Sequence, residues 1–136
     1  MRRAGWVAAI VAGSWVVTLA GYLLTGMAAG DLAPRIPGEE PPSAGAVQTA
    51  GVVALLGMVA VVAAAVWLGA LLARDSAGME RRGAAVTAAT GPLAAVAVTL
   101  LLSAILAVPA GTIAVHAGCA IAATGAALYA TLRRKR

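Results

Sequence analysis

The sequence predicts an all-α protein, a four-helix transmembrane bundle with its N- and C-termini cytoplasmic. Three observations carry this. Four long apolar stretches divide a chain of 136 residues that is 62% hydrophobic. Only 11% of its residues are charged, against about a quarter in soluble domains. Nine of the ten basic residues lie on one side of the stretches: Arg2 and Arg3, then Arg74, Arg81 and Arg82, then Arg133, Arg134, Lys135 and Arg136. Arg35 alone lies on the other side, outnumbered there by Asp31, Glu39 and Glu40. Lys and Arg beside span ends stay on the cytoplasmic face, so this bias gives the orientation.

The chain reads as a single integral membrane domain over residues 1–136, with no room for a separate soluble domain. The first span covers about residues 4–27, enough for the ~20 residues a crossing needs. Its uncharged run from Ala4 to Gly30 exceeds the ~7–15 residue apolar core of a signal peptide. It therefore reads as an anchor, with Gly26-Met27-Ala28 leaving cleavage as the alternative. Trp6 and Tyr22 near its ends fit interfacial aromatic belts, whereas Trp15 near mid-span needs a partner or a neighbouring helix. The outer connection, residues 30–44, carries Pro34, Pro37, Pro41 and Pro42 and reads as an extended, solvent-facing loop.

The second span covers about residues 45–73, with Trp67 near its inner end. The inner loop, residues 74–83, is mixed in charge, and Asp75 and Glu80 can pair with its arginines for about 0–1 kcal/mol each. From Gly83 to Leu132 there is no formal charge, which suits two spans, about 84–108 and 111–132, joined as a tight hairpin. Pro109-Ala110-Gly111 supplies the turn, with glycine expected to take the unusual backbone angles. The third helix is expected to begin near Ala84 and kink at Pro92, because residues 92–108 alone would be short. A start at Pro92 is the alternative. Tyr129 and the basic tail, residues 133–136, close the fourth span, and the tail is placed to meet anionic headgroups.

In lipid, helices associate through close approach of small residues and through hydrogen bonds. Span three carries small residues at every fourth position: Gly83, Thr87, Gly91, Ala95, Thr99, Ser103 and Ala107. It is expected to be the most enclosed helix, and leucine at Gly91 or Ser103 to loosen the bundle. The other spans offer Gly5, Ala9, Gly13 and Gly21; Gly57, Ala65 and Gly69; and Gly118, Ala122, Ala126 and Ala130. Gly91, Ala95, Thr99, Gly13 and Gly57 are the expected packing residues.

His116 and Cys119 share a face of span four. One histidine and one cysteine fall short of a zinc site, so the expectation is no metal, no cofactor and a hydrogen-bonded neutral histidine. His116 still heads the functional candidates, because ionisable groups inside membranes are rare and often functional. In a hairpin about Ala110, Ser103 comes level with His116, giving a candidate intramembrane polar pair. No carboxylate lies in these spans to orient the histidine, and no Gly-x-Ser-x-Gly elbow is present. The chain is therefore not expected to be an enzyme, and no catalytic residue is assigned.

No Asp, Glu, Lys or Arg lies within any span, whereas ion-coupled transporters place such groups in the bundle. The net charge of +5 sits in short clusters at span ends, without the aromatics or scaffold of a nucleic-acid surface. Nucleic acid is not an expected partner.

The Pro/acid loop Pro34–Pro42, the run Trp67-Leu68-Gly69-Ala70-Leu71-Leu72, His116 early in the fourth span and the tail from Arg133 together give a layout that resembles a known group. This is an uncharacterised set of four-span membrane proteins from GC-rich bacteria, known as a domain of unknown function. The resemblance covers most of the chain and implies no activity.

The leading expectation is a non-catalytic accessory or assembly protein of the bacterial cytoplasmic membrane. It would pack against a membrane-protein partner or as a homo-oligomer. The alternative is a small oligomeric transporter or permease for a neutral or apolar solute. Polar side chains facing a cavity would favour a permeation path, and a packed interior with an open apolar face would favour assembly.

Overall fold

The computed structural model describes residues 2–34, 38, 40–75 and 78–133. Arg35, Pro37 and Glu39 of the Pro-rich connection, Ser76 and Ala77 of the second loop, and the tail residues Arg134, Lys135 and Arg136 lie outside the described residues. The described chain is all-helical: α1 (Arg2–Leu32), α2 (Ala44–Asp75), α3 (Arg81–Ile105) and α4 (Ala110–Arg133). Each helix is long and apolar enough to cross a membrane, which makes this a multi-pass membrane protein.

The helix ends depart from the sequence reading in three places. α1 runs on to Leu32 and takes in Asp31, so the connection is shorter than residues 30–44. α1 and α2, at 31 and 32 residues, are about 46–48 Å long at 1.5 Å per residue. That exceeds the ~30 Å hydrocarbon layer, leaving length for tilt or for projection beyond it. α3 begins at Arg81 and carries Pro92 inside it, and it stops at Ile105 rather than residue 108.

The turn between α3 and α4 is not made by Gly111. Ala107 takes the left-handed conformation (φ 56°), and Leu106 N–H donates to Leu102 O while Val108 N–H donates to Ser103 O. These bonds satisfy carbonyls left over at the end of α3. Pro109 O then accepts from Thr112 and Ile113 N–H and starts α4, so Gly111 is already helical. At the start of α2, Ser43 Oγ accepts from Ala46 N–H at 3.2 Å, an ordinary N-cap.

Gly21 faces Val61, and Gly57 faces Thr25, so α1 and α2 run antiparallel. Gly69 packs on Ala88 and Ile10, and Gly91 on Val11, Ser14 and Trp15. These contacts lock α1, α2 and α3 at one level. α2 and α3 each touch all the other helices, while α1 and α4 sit at opposite corners and do not pack together. The main core joins Met58, Val62, Val66 and Ala70 to Ala88, Val96, Ala120, Ala123 and Ala127. A smaller cluster of Ile10, Ala73 and Ala84 lies near the end that carries both termini. There Arg81 Nη1 donates to Leu132 O at 3.3 Å, tying α3 to the last turn of α4. Arg133 lies 4.7 Å above the Tyr129 ring, a cation–π contact.

α3 is the most buried helix, with 33% of its most apolar stretch enclosed. Gly91 is buried and Ala95 has no exposed surface. Gly83 and Ala107, at the ends of its small-residue row, face outward.

The rows expected on α1 and α4 do not form the contacts. A Cβ at Gly5 or Gly13 would meet nothing within 4 Å, whereas Gly21 is tight against Val61. The buried face of α1 is Ile10, Ser14 and Thr18. Their hydroxyls turn inward and are satisfied locally, Thr18 Oγ1 donating to Ser14 O at 2.7 Å. On α4 the buried residues are Ala120, Ala123, Thr124, Ala127 and Thr131, while Gly118, Ala122, Ala126 and Ala130 face outward.

Candidate functional site

The one titratable ring inside the apolar segments with a free ring nitrogen is His116, and its geometry defines the candidate site. Its Nδ1 lies 2.7 Å from Thr112 O, one turn back on α4. A carbonyl only accepts, so in the neutral ring Nδ1 carries the proton and Nε2 is left as an acceptor. His116 lines a cavity of about 190 Å³ between the helices, toward the end of the bundle away from the termini.

Ser103 and Thr99 line the same cavity from α3. Ser103 therefore shares a wall with His116, but its proton is committed elsewhere: Ser103 Oγ donates to Thr99 O at 2.9 Å. Thr99 Oγ1 donates in turn to Ala95 O at 2.9 Å. Both oxygens keep lone pairs, so they act as acceptors. Ser103 is half-buried on the cavity wall. Gly91, by contrast, stands at a close contact with α1.

Tyr22 completes the wall from α1, and the sequence reading had placed it in an interfacial belt. Its Oη is instead buried and has no hydrogen-bond partner among the described residues. The signal was present in the chain, because Tyr22 continues the row Ser14, Thr18, Tyr22 at four-residue spacing. Polar side chains on a span turn away from lipid, and a row of them marks the inward face. Met58 of α2 and Val96 of α3 supply apolar wall.

His116, Ser103 and Thr99 bring hydrogen-bond acceptors to the cavity wall, while Tyr22 lines it with its Oη buried and unpartnered among the described residues. A small, mostly apolar molecule bearing a hydroxyl would complement it, as would ordered water. Cys119, three residues on, does not join His116. It is half-buried against the main core and behaves as a small apolar residue. Among the described residues, no three of His, Cys, Asp and Glu gather where they could hold a metal ion.

Toward the termini the interior closes. Val62, Val66 and Ala88 have no exposed surface, and Gly91 meets the backbone of α1. Of the expected packing residues, Gly91, Ala95 and Gly57 lie at helix contacts, Thr99 lines the cavity, and Gly13 lies in an open groove between α1 and α2.

The fold and cavity define a small four-helix membrane protein with a largely apolar recess that carries a few polar side chains and no charged group among the described residues. Compared with protein-family models, curated proteins and solved structures, the chain matches none.

Proposed function

We propose that this chain is a non-catalytic accessory or assembly protein of the bacterial cytoplasmic membrane, with both termini in the cytoplasm. Nine of ten basic residues at the termini end support the orientation. The observation that carries the functional reading is the outward face of α4. Gly118, Ala122, Ala126 and Ala130 are exposed, and a Cβ at Gly118 would meet nothing within 4 Å. α4 packs only on α2 and α3, so its small-residue face is left open for close approach by another membrane helix. The packed interior toward the termini end, where Val62, Val66 and Ala88 have no exposed surface, supports the same reading. The likeness to the uncharacterised four-span group from GC-rich bacteria belongs to this proposal and adds no activity to it.

Native mass spectrometry of the protein, gently solubilised from its own host, tests the proposal. A second protein at fixed stoichiometry is the expected result, and Gly118→Leu should release it without changing the melting temperature. A partner-free chain, or a partner held equally by Gly118→Leu, would overturn it.

The recess lined by Tyr22, Thr99, Ser103 and His116 favours a second reading, a small oligomeric transporter or permease for a neutral or apolar solute. That reading expects a homo-oligomer without partners, and solute flux in proteoliposomes that Tyr22→Phe reduces.

A further inference from the structure

The recess beside His116 has a size and a polarity that select among neutral molecules. His116 is the one histidine of the chain and is half-buried on α4. Its Nδ1 proton is given to Thr112 O at 2.7 Å, so the lone pair on Nε2 is free to accept. No partner takes it up among the described residues. It is not walled in either, since Tyr22 Oη is the one buried side-chain atom there left unpaired.

The hydroxyls brought from α3 have no proton to offer. Ser103 Oγ donates to Thr99 O and Thr99 Oγ1 to Ala95 O, each at 2.9 Å. Thr112, one turn back on the His116 face of α4, is exposed and able to give or accept. Protons are therefore short on this wall, and a guest must bring one. The remaining wall is apolar, from Met58, Val96, Leu100, Val108 and Ile113 with the Tyr22 ring. No charged side chain lines it, so an ionic guest would leave water without a counter-charge.

The recess holds about 190 Å³. An apolar cavity of about 150 Å³ accommodates one benzene ring, and a single water needs only ~10–15 Å³. An acyl chain could enter the space but would leave Nε2 unpaired, at the cost of its desolvation. A phenol meets all three demands. It is one ring in size, it is neutral below its pKa of about 10, and its O–H donates more strongly than that of an alkyl alcohol.

We infer that the recess binds one neutral phenol-class ring, its O–H donating to His116 Nε2 and its ring lying among Met58, Val96 and Leu100. A free phenol and the phenolic head of a membrane lipid share this chemistry. The inference is independent of the accessory role, which concerns the outward face of α4. It asks only for binding, where the permease reading also asks for passage.

The test uses the full chain, purified in detergent through a tag without histidine, delipidated, and isotopically labelled at the histidine nitrogens, so that His116 gives the imidazole signal alone. In the free protein Nε2 should resonate as an unprotonated nitrogen. Para-cresol should move that resonance saturably, with one molecule bound per chain. Anisole, an isomer with no proton to give, should bind about tenfold more weakly and leave Nε2 unmoved. His116→Phe should abolish the preference for para-cresol over anisole. An Nε2 that carries the proton would overturn the inference, as would equal binding of the two isomers by the wild type. So would an Nε2 resonance that para-cresol does not move, the result expected of a recess that takes only water or an acyl chain. Should His116→Phe not fold, the two isomers on the wild type decide alone. Mass spectrometry of the lipid washed from the protein assigns the source: a phenol-headed lipid at one per chain marks a membrane ligand, and para-cresol binding without one marks a free phenol. Binding without solute flux in proteoliposomes upholds the inference and removes the permease reading.

Discussion

Replacing Gly91 with alanine is expected to lower the melting temperature in detergent by about 10 °C, the largest loss from any single methyl group in the molecule. The added Cβ would fall on Ser14 Oγ and Val11 O, and 3.0 Å from Trp15 N. Two of these three are backbone atoms of a helix, so no rotamer change relieves them. Relief requires α1 and α3 to move apart, and that movement also strips Gly69 from Ala88 and Ile10 at the same level. Overpacking in a close-packed interior costs about 1–3 kcal/mol, and fixed backbone puts this site at the upper end. By contrast, Gly57→Ala would meet only the Thr25 side chain, with Cβ at 2.9 Å, and should cost less. A melting temperature for Gly91→Ala within 2 °C of wild type would mean that α1 and α3 do not meet at this point.

Replacing Tyr22 with phenylalanine is expected to raise the melting temperature of the purified protein. Tyr22 Oη is buried without a partner, and a buried polar group left unpaired costs about 1–3 kcal/mol. Phenylalanine keeps the ring against Met58 and Val96 and removes the cost. Thermal denaturation followed by circular dichroism reads the effect directly. The sign also bears on function. A fall instead of a rise would show that the hydroxyl is bonded, through a molecule seated in the recess beside His116, and would move weight to the permease reading. His116→Phe should then behave in the same direction as Tyr22→Phe, since both would lose one end of the same bridge.

The two kinds of sequence signal differ in how much phase they carry. On α3, glycine and hydroxyl residues stand out from an alanine background, so Gly91 and Ala95 could be placed at the contact from spacing alone. On α4 nothing distinguishes Ala120, Ala123 and Ala127, which are buried, from Ala122, Ala126 and Ala130, which are not. Small residues on both faces leave the rotation undetermined by alanine alone, and it is the hydroxyls Thr124 and Thr131, both buried, that mark the inward face. On α1, glycine was the wrong marker and hydroxyl the right one: Gly5 and Gly13 face open space while Ser14 and Thr18 are buried. In lipid the unsatisfied polar group is costlier than the exposed glycine, so the hydroxyl row points inward first.

The site was half legible for the same reason. Depth along a hairpin follows from counting residues, which brought Ser103 level with His116 on one cavity wall. Where each proton goes does not follow from depth. Both side chains bond within their own helices, to Thr99 O and Thr112 O, because a carbonyl one turn back is always in reach. The third wall, Tyr22, required knowing which face of α1 turns inward. The turn itself escaped because the left-handed position fell on Ala107, and a sequence offers no cue for that conformation at alanine when Gly111 stands nearby.

The proposed role depends on how the bundle sits in the bilayer, and site-directed cysteine labelling tests that most directly. Cys119 is replaced by alanine, and single cysteines are placed at Ser43, in the Pro-rich connection, and at Glu80, whose side chain makes no cap bond to α3. In intact cells an impermeant maleimide should label the Ser43→Cys protein and leave Glu80→Cys unlabelled until the membrane is opened. Labelling of both from the outside, or of Glu80→Cys alone, would contradict a four-span chain with its termini in the cytoplasm.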